Sequence, residues 1–208
     1  MTISASNDGI LVPCPRLQAI DVCSAVVAPT CFSVAAGQCA VVAGRSGAGK
    51  TRLLRLLADL DPGAGEVFLD GKARSAHSAP EWRKKVLYQS ADAAWWRPSV
   101  IEHLAMEERD AAQVLAEHLH LGKDRLTAAV SELSTGERQR AALIRSLLKR
   151  PAVLLLDEPC SALDAENVLR VEALLLSYIR GGMSVLLVTH SKEQAERLAD
   201  ATIEVKRR

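Results

Sequence analysis

The 208-residue chain carries 26 lysine and arginine residues against 25 aspartate and glutamate residues, a formal net charge of +1, with 49% hydrophobic and 25% charged residues. A chain of this length buries about 70% of its unfolded surface, and the composition excludes an intrinsically disordered protein. The balanced charge disfavours a protein that binds nucleic acid or anionic lipid through a broad basic surface.

The first residues have neither a basic start nor an apolar block, and no apolar run approaches the roughly 18 residues that span a bilayer. We therefore expect a soluble chain without a secretory signal, which meets a membrane only through a partner. Residues 10–43 contain short apolar runs broken by proline and glycine, which predict antiparallel strands ending in a buried strand at 39–43.

A helix is predicted over residues 50–60, where four leucines share one face, and Pro62 and Gly63 end it. Residues 66–69 then predict a strand that enters a hairpin at Asp70 and Gly71.

After a strand at 86–89, residues 99–149 are rich in alanine, leucine, glutamate and arginine and predict a helical insertion, with Gly122 as its main break. Uniformly apolar strands follow at 153–156 and 184–189, each after a helical segment. Such strands indicate a parallel sheet that is covered on both faces. The basic end at 206–208 is expected to be a solvated tail.

The five cysteines contain no C-x-x-C pair and their number is odd, so we interpret them as reduced core residues rather than metal ligands or disulfides. They are Cys14, Cys23, Cys31, Cys39 and Cys160.

A glycine-rich segment between the strand at 39–43 and the first helix fits G-x-x-x-x-G-K-[ST]. Its residues are Gly44, Arg45, Ser46, Gly47, Ala48, Gly49, Lys50 and Thr51. In such a turn backbone N–H groups point at phosphate oxygens, and the helix N-terminus adds about half a positive charge. We expect Lys50 to bridge the outer phosphates of a nucleotide and Thr51 to hold Mg²⁺. The alternative is that the segment matches the motif by chance, with a probability on the order of one per cent for a chain of this length and average composition.

Two acids, Asp157 and Glu158, follow the strand at 153–156 at its carboxyl end, the edge where open α/β sheets bind ligands. Asp157 is predicted to hold Mg²⁺ through water and Glu158 to orient or deprotonate an attacking water, which makes hydrolysis of a γ-phosphate the expected chemistry. The alternative is that both acids only cap the turn before Pro159.

Residues 133–140, Leu-Ser-Thr-Gly-Glu-Arg-Gln-Arg, resemble the signature of the ATP-binding cassette (ABC) ATPases, and a small bacterial stand-alone cassette is the nearest type. Ser134, Gly136 and Glu137 stand at the start of a predicted helix, whose N–H groups suit an anion. The resemblance implies ATP and Mg²⁺ as cofactors and a head-to-tail homodimer, formed when ATP is bound, in which this segment closes on the partner's γ-phosphate.

Other positions match the family in order. Gln89 matches the glutamine that senses Mg²⁺ and water, residues 161–164 match a loop that crosses the dimer contact, and His190 matches the histidine that contacts the γ-phosphate. Taken alone, each of these has an ordinary structural alternative, such as a solvated polar residue at a strand end.

Some positions depart from the family pattern. Thr135 and Glu137 replace a glycine and a glutamine of the signature, and Arg52 stands where a second hydroxyl residue is common and could reach the α-phosphate or point outward. No aromatic residue precedes Phe32, so the usual adenine-stacking ring has no counterpart, and weak selectivity for the base is predicted.

Trp95 and Trp96 lie just after Gln89, on the surface that in the family docks a transmembrane subunit. Two adjacent tryptophans cannot both face one core in regular structure, so at least one is expected to be exposed at a protein interface. Packing of both in the core through an irregular turn is the alternative.

The resemblance implies an α/β fold: a P-loop core with a mostly parallel sheet, an N-terminal antiparallel β subdomain and a short inserted helical subdomain. We expect one domain over 1–208, with the core at 10–89 and 150–208 and the helical part at 90–149. The expected function is the ATP-hydrolysing subunit of a transporter, peripheral on the cytoplasmic face of the inner membrane, with a separate permease. A hydrolysis-impaired nucleotide-binding regulator, and a soluble factor acting on ribosomes or DNA, are the alternatives.

Overall fold

A computed structural model describes residues 3–5, 11–13 and 15–208 of the chain. The strands are β1 (Ile3–Ala5), β2 (Leu11–Pro13), β3 (Leu17–Cys23), β4 (Thr30–Val34), β5 (Cys39–Ala43), β6 (Ala64–Leu69), β7 (Lys72–Ala73), β8 (Val86–Gln89), β9 (Val153–Asp157), β10 (Ser184–Val188) and β11 (Ala201–Glu204). The α-helices are α1 (Lys50–Leu57), α2 (Ala79–Lys85), α3 (Arg109–His118), α4 (Thr135–Leu148), α5 (Ala165–Arg180) and α6 (Lys192–Leu198).

The strands form three sheets. A parallel sheet has the order β11-β5-β10-β9-β8, an antiparallel sheet has the order β4-β3-β6-β7, and β1 pairs with β2. The expected fold class, an α/β core with an antiparallel β portion and helices, is confirmed.

The strands of the parallel sheet are apolar on both faces because each face has its own core. On β9, Leu154 and Leu156 belong to the core that contains α3, α4 and α5, whereas Val153 and Leu155 belong to the core that contains α1. Successive side chains of a strand point to opposite faces, so a continuous apolar run is needed to cover both.

Helix α1 lies in the core between the two larger sheets. All four of its leucines are buried, together with residues of β3 and β6 from the antiparallel sheet. Trp82 of α2 fills the same core with no exposed surface, and its indole N–H donates a hydrogen bond of 2.8 Å to the Leu57 carbonyl. The bond satisfies both a buried indole and the last turn of α1.

Helix α1 ends three residues earlier than predicted. Asp59 adopts a left-handed conformation with φ 58°, and the Leu60 N–H donates back to the Arg55 carbonyl. This closing turn satisfies the last carbonyls of the helix and prevents its continuation.

The predicted helical insertion contains less α-helix than its composition indicates. Within 99–149 only α3 and α4 are α-helices, and four short 3-10 turns occupy residues 101–103, 106–108, 123–126 and 130–132. An antiparallel bridge between Ser99 and Ala129 and a bond from the Val130 N–H to the Pro98 carbonyl hold these turns together. Tertiary pairing here overrides helix propensity.

Two smaller expectations hold in part. The basic end is exposed over 206–208, as expected, but it is not a free tail, because Arg207 pairs with Val27 and the Arg208 N–H donates to the Val26 carbonyl. Of the cysteines, Cys39 is buried in the core but Cys31 is exposed, with its Sγ 3.2 Å from Asp21 Oδ1; Cys14 lies outside the described residues.

In the described part of the chain, no helix combines the length and apolarity that a bilayer crossing requires.

Candidate functional site

The glycine-rich turn connects β5 to α1 and has the backbone of an anion-binding loop. Gly47 and Gly49 have φ of 74° and 99°, a region that glycine enters without strain. A side chain at Gly49 would lie 2.8 Å from Val27 Cγ2, so close packing also requires glycine there. Helix α1 begins at Lys50, and its free N–H groups therefore open onto the turn.

Lys50 points back over the turn. Its Nζ donates to the Gly44 carbonyl at 3.1 Å and contacts the Arg45 carbonyl at 3.5 Å, and it makes no carboxylate pair among the described residues. The ammonium group is thus held above the loop, where it is available to an anion.

A cavity of about 470 Å³ lies in front of this turn and collects most of the predicted site residues. Its lining comprises Ser46, Gly47, Gly49, Lys50, Thr51, Arg52, Arg55, Asp61, Asp157, Glu158, Val188 and His190. Gly44, Arg45 and Ala48 instead line a second cavity of about 430 Å³, which is shared with residues 204–207. The predicted residues of the motif thus divide between two cavities, and their binding roles stay a prediction.

Asp157 ends β9 and is buried, with 6% of its surface exposed. Its Oδ2 accepts a hydrogen bond of 3.1 Å from the Tyr88 hydroxyl. Burial, and then the charge of Asp157, raise the pKa of Tyr88, so the phenol stays protonated and donates.

Glu158 follows in a left-handed conformation with φ 50°, which turns its side chain into the cavity. Its N–H donates to the Val188 carbonyl, which ties the strained residue to β10. Burial raises the pKa of the Glu158 carboxyl above its usual value.

His190 is close to this carboxylate. The His190 N–H donates to Glu158 Oε2 at 3.3 Å, and its Nε2 lies 3.2 Å from Oε1 without the alignment of a hydrogen bond. The imidazole is 74% exposed at the mouth of the cavity, so Glu158 and His190 are poised over the space in front of the phosphate-binding turn.

Gln89 ends β8, beside β9, but does not line the cavity. It is 5% exposed, and its buried Oε1 has no hydrogen-bond partner within the described residues. A buried acceptor without a partner is rare in folded proteins.

Two arginines and one aspartate at the cavity wall complete the arrangement, and sequence reasoning missed two of them. Asp61 accepts two bonds of 2.8 Å from Arg55 and also pairs with Arg52. Arg52 thus neither points freely outward nor lies alone in the cavity. Arg55 and Asp61 are six positions apart in the chain, a spacing that predicts no contact within a helix. The closing turn of α1 brings them together.

The signature residues lie outside the cavity, at the N-terminus of α4. Ser134 and Glu137 form a reciprocal cap: the Ser134 N–H donates to Glu137 Oε2 at 2.8 Å and the Glu137 N–H donates to Ser134 Oγ at 3.2 Å. A side chain at Gly136 would lie 2.9 Å from the Ala162 carbonyl, so the signature packs directly on the 161–164 loop. Buried Gln139 bonds to both Ser161 and Ala162 and fixes that contact.

The loop before β4 lies over the phosphate-binding turn and carries aliphatic side chains. A Cβ at Gly49 would have Val27 Cγ2 at 2.8 Å and Val26 Cγ1 at 3.5 Å as its nearest neighbours. Thus no aromatic ring from this loop lies next to the turn, and weak base selectivity stays a prediction.

Trp96 is 69% exposed, which confirms the expectation that at least one of the two tryptophans faces solvent. Trp95 packs against the core, and the Arg145 guanidinium lies 4.4 Å from the Trp95 ring and 5.1 Å from the Trp96 ring. His103 Nε2 accepts from the N–H groups of Trp96 and Arg97, both at 3.1 Å. The exposed ring is therefore held by an ordered support rather than by a loose loop.

Comparison with known proteins identifies relatives over most of the chain. The family model described as "ABC transporter" matches residues 27–161. The aliphatic sulfonates import ATP-binding protein SsuB of Yersinia pestis bv. Antiqua (strain Antiqua) is 38% identical over 175 residues, which cover 82% of this chain and 63% of that relative. SsuB of Escherichia coli O6:H1 (strain CFT073) is 40% identical over 176 residues, covering 82% of this chain and 67% of the relative. The chain thus spans less than two thirds of the length of the Yersinia protein.

Solved structures share the fold at lower identity. A dimeric post-hydrolysis state of the ATP-binding cassette MJ0796 bound to ADP and Pi superposes with a TM-score of 0.77 at 22% identity, covering 91% of this chain and 94% of that one. The ATP-binding subunit of an ABC transporter gives a TM-score of 0.79 at 20% identity, covering 91% and 85%.

Proposed function

The chain belongs to the ABC transporter family, and from that premise we propose that it is an ATP-hydrolysing subunit that drives a separate transmembrane permease. The observation that carries this proposal is a single cavity lined by the phosphate-binding turn, Asp157, Glu158 and His190. Anion-binding donors and carboxylates converge there from three separate segments, which suits a bound nucleotide and an attacking water.

ATP would bind with its phosphates on residues 44–51. The positive φ values of Gly47 and Gly49 curl the backbone, and no atom lies within 4 Å of a side chain placed at Gly47, so the loop leaves space for a phosphate. Lys50 would exchange its two carbonyl contacts for phosphate oxygens, which is favourable because a charge-assisted bond is the stronger one.

Mg²⁺ would be held by oxygen from Thr51, Asp157 and Gln89. These are hard ligands, as Mg²⁺ prefers, and Gln89, which lies outside the cavity lining, would have to turn its unpartnered Oε1 toward the ion. In the described part of the chain no three histidine, cysteine, aspartate or glutamate side chains cluster as a metal site. Bound magnesium would neutralise charge that develops on the phosphates.

For hydrolysis, Glu158 would orient and deprotonate the attacking water, while His190 would contact the γ-phosphate from the cavity mouth. The raised pKa of Glu158 makes its carboxylate a better proton acceptor than an ordinary glutamate. Its fixed left-handed backbone holds the carboxylate over the cavity without a reorganisation step.

A homodimer would complete the site. Ser134 and Gly136 do not line the cavity of their own chain, so we expect these donors to serve a nucleotide that another copy holds. The same segment packs on the 161–164 loop, so both elements would meet the partner as one unit.

The permease would dock on the surface around Trp95 and Trp96. Trp96 offers an exposed ring on a rigid support, and tryptophan beside arginine is enriched where binding energy concentrates. Met106 and Val114 are also exposed in the same helical segment, at 73% and 52%. On this proposal the subunit is peripheral at the cytoplasmic face of the inner membrane, with membrane contact only through the permease.

A second candidate, a nucleotide-binding regulator with impaired hydrolysis, has one observation in its favour. Glu137 places a carboxylate on the N-terminus of α4 and engages the Ser134 N–H, where a phosphate would bind in the dimer. An anion that is already part of the chain competes with the nucleotide for that helix end.

Measured phosphate release separates the two candidates. We expect the wild-type chain with ATP and Mg²⁺ to release phosphate, and Glu158→Gln to lose this activity by at least about a hundredfold while still binding ATP. Equal and negligible release from both proteins would contradict the ATPase and favour the regulator.

A further inference from the structure

Tyr88 connects the end of one strand to the carboxylate at the end of the next. In the parallel register of β8 and β9, Tyr88 pairs with Leu155 and Gln89 with Leu156, so the phenol reaches forward to Asp157. Within the described residues, no second hydrogen bond reaches the Asp157 side chain, although it is 6% exposed. Its orientation therefore depends on one donor.

The Tyr88 ring is held in turn by a chain of charged groups. The Arg55 guanidinium lies 6.0 Å from the ring centroid, and Asp61 grips Arg55 with two bonds of 2.8 Å. Asp61 itself is held, because only 8% of its side chain is exposed and Arg52 pairs with it from the first turn of α1. A continuous set of contacts thus runs from α1, which follows the phosphate-binding turn, to the end of β9.

A metal-binding carboxylate needs this kind of support. Asp157 would hold Mg²⁺ directly or through water, and rotation of its carboxylate would move that oxygen away from the ion. Groups that hydrogen-bond to metal ligands typically change metal affinity 10- to 100-fold when removed. A bond to Oδ2 leaves Oδ1 free to serve the ion.

We propose that Tyr88 is a positioning residue for Asp157, orienting its carboxylate toward the magnesium of the bound nucleotide. The assignment rests on the proposed function, since it concerns the same site. It adds a role to a residue that binds neither nucleotide nor metal, and it makes Arg55 and Asp61 the support of that residue.

A purely structural role predicts something different. If Tyr88 only satisfied a buried carboxylate, its loss would lower the melting temperature and leave the metal dependence of nucleotide binding unchanged. The two roles therefore separate in a binding experiment that requires no turnover.

The test compares Tyr88→Phe with Tyr178→Phe, which removes the hydroxyl of the chain's other tyrosine, located in α5. ATP affinity is measured by titration calorimetry in EDTA and at a series of Mg²⁺ concentrations. We expect Tyr88→Phe to raise the apparent Mg²⁺ dissociation constant about tenfold, with ATP affinity in EDTA within about twofold of wild type. Tyr178→Phe should match wild type in both.

A second variant, Asp61→Asn, loosens Arg55 against the ring without touching Tyr88 and should shift the Mg²⁺ constant in the same direction by less. An unchanged Mg²⁺ constant in both variants overturns the assignment, as does an equal loss of ATP affinity with and without Mg²⁺. Wild-type protein that binds no ATP, or binds it without regard to Mg²⁺, would instead refute the proposed function itself.

Discussion

Asp61 lines the nucleotide cavity and pairs with two arginines of α1. The Arg55 hydrogen bonds, with help from Arg52, lower the pKa of the Asp61 carboxyl to about 2. A depressed pKa means that the charged form is favoured in the folded state, so the stabilisation is present above the ordinary aspartate pKa and is lost as pH falls toward 2. The two arginines are 43% and 40% exposed, and solvent screening reduces the effect.

We predict that Asp61→Asn lowers the free energy of unfolding by about 1–2 kcal/mol at pH 7. The difference from wild type should shrink as pH falls from about 4 toward 2, because the unfolded wild-type chain then takes up a proton that the folded Asp61 carboxyl does not yet bind. Urea unfolding at several pH values measures this difference in the free energy of unfolding. Asp70→Asn is the matched control, since Asp70 is 51% exposed and its one salt bridge is to Arg16; it should change the free energy by less than about 0.5 kcal/mol. A difference that stays constant down to pH 3 would contradict the argument.

At the residue scale, the sequence predicted the site where a residue type and its spacing imply one backbone geometry. Lys50 is one example, because it follows Gly44, four further residues and Gly49. Asp157 is another, because it follows an apolar strand. Tyr88 and Arg55 were missed because their roles depend on contacts between β8, β9 and α1, which no local pattern encodes. Gln89 was predicted as a site residue from its order among motifs, and its role stays a prediction; its buried, unpartnered oxygen is visible only in the fold.

At the scale of elements, the segment after β8 has an exposed aromatic ring on a rigid base. Arg145 of α4 lies against both tryptophan rings and donates to the Ala94 carbonyl at 2.9 Å, so the segment is anchored to the helix that carries the signature. A partner that binds Trp96 would therefore contact α4 through one intervening side chain.

We predict that Trp96→Ala weakens recovery of the permease complex by about 2 kcal/mol or more, while phosphate release by the isolated subunit is unchanged. The ring is 69% exposed, so the free energy of unfolding should change by less than about 0.5 kcal/mol. Co-purification from membranes measures the first effect. Leu169→Ala, on α5 and 52% exposed, is the control for loss of an exposed apolar side chain and should leave recovery intact. Normal recovery of Trp96→Ala would show that docking occurs elsewhere.

Element types were predictable where hydrophobic periodicity was strong, as in β5, β9, β10 and α4. The ends of elements were harder to predict. Helix α1 closes through Asp59 in a left-handed conformation, which composition does not reveal. The stretch between 99 and 134 was misjudged for a related reason: its alanines and leucines favour helix, but a bridge and short turns satisfy the same backbone groups.

At the scale of the whole molecule, the phosphate-binding cavity and the signature lie apart within one copy. The signature residues are absent from the cavity lining and are tied to the 161–164 loop, whereas Lys50, Asp157 and Glu158 share the cavity. Within one copy the signature residues and the cavity therefore do not meet. We propose that a second copy joins them through ATP.

Sedimentation of the Glu158→Gln variant tests that claim most directly. With saturating ATP and Mg²⁺ the account predicts a dimer, and the double variant Glu158→Gln, Lys50→Ala should sediment as a monomer because it cannot hold the triphosphate. A Glu158→Gln chain that remains monomeric with ATP and Mg²⁺, both in solution and within its membrane assembly, would contradict the account.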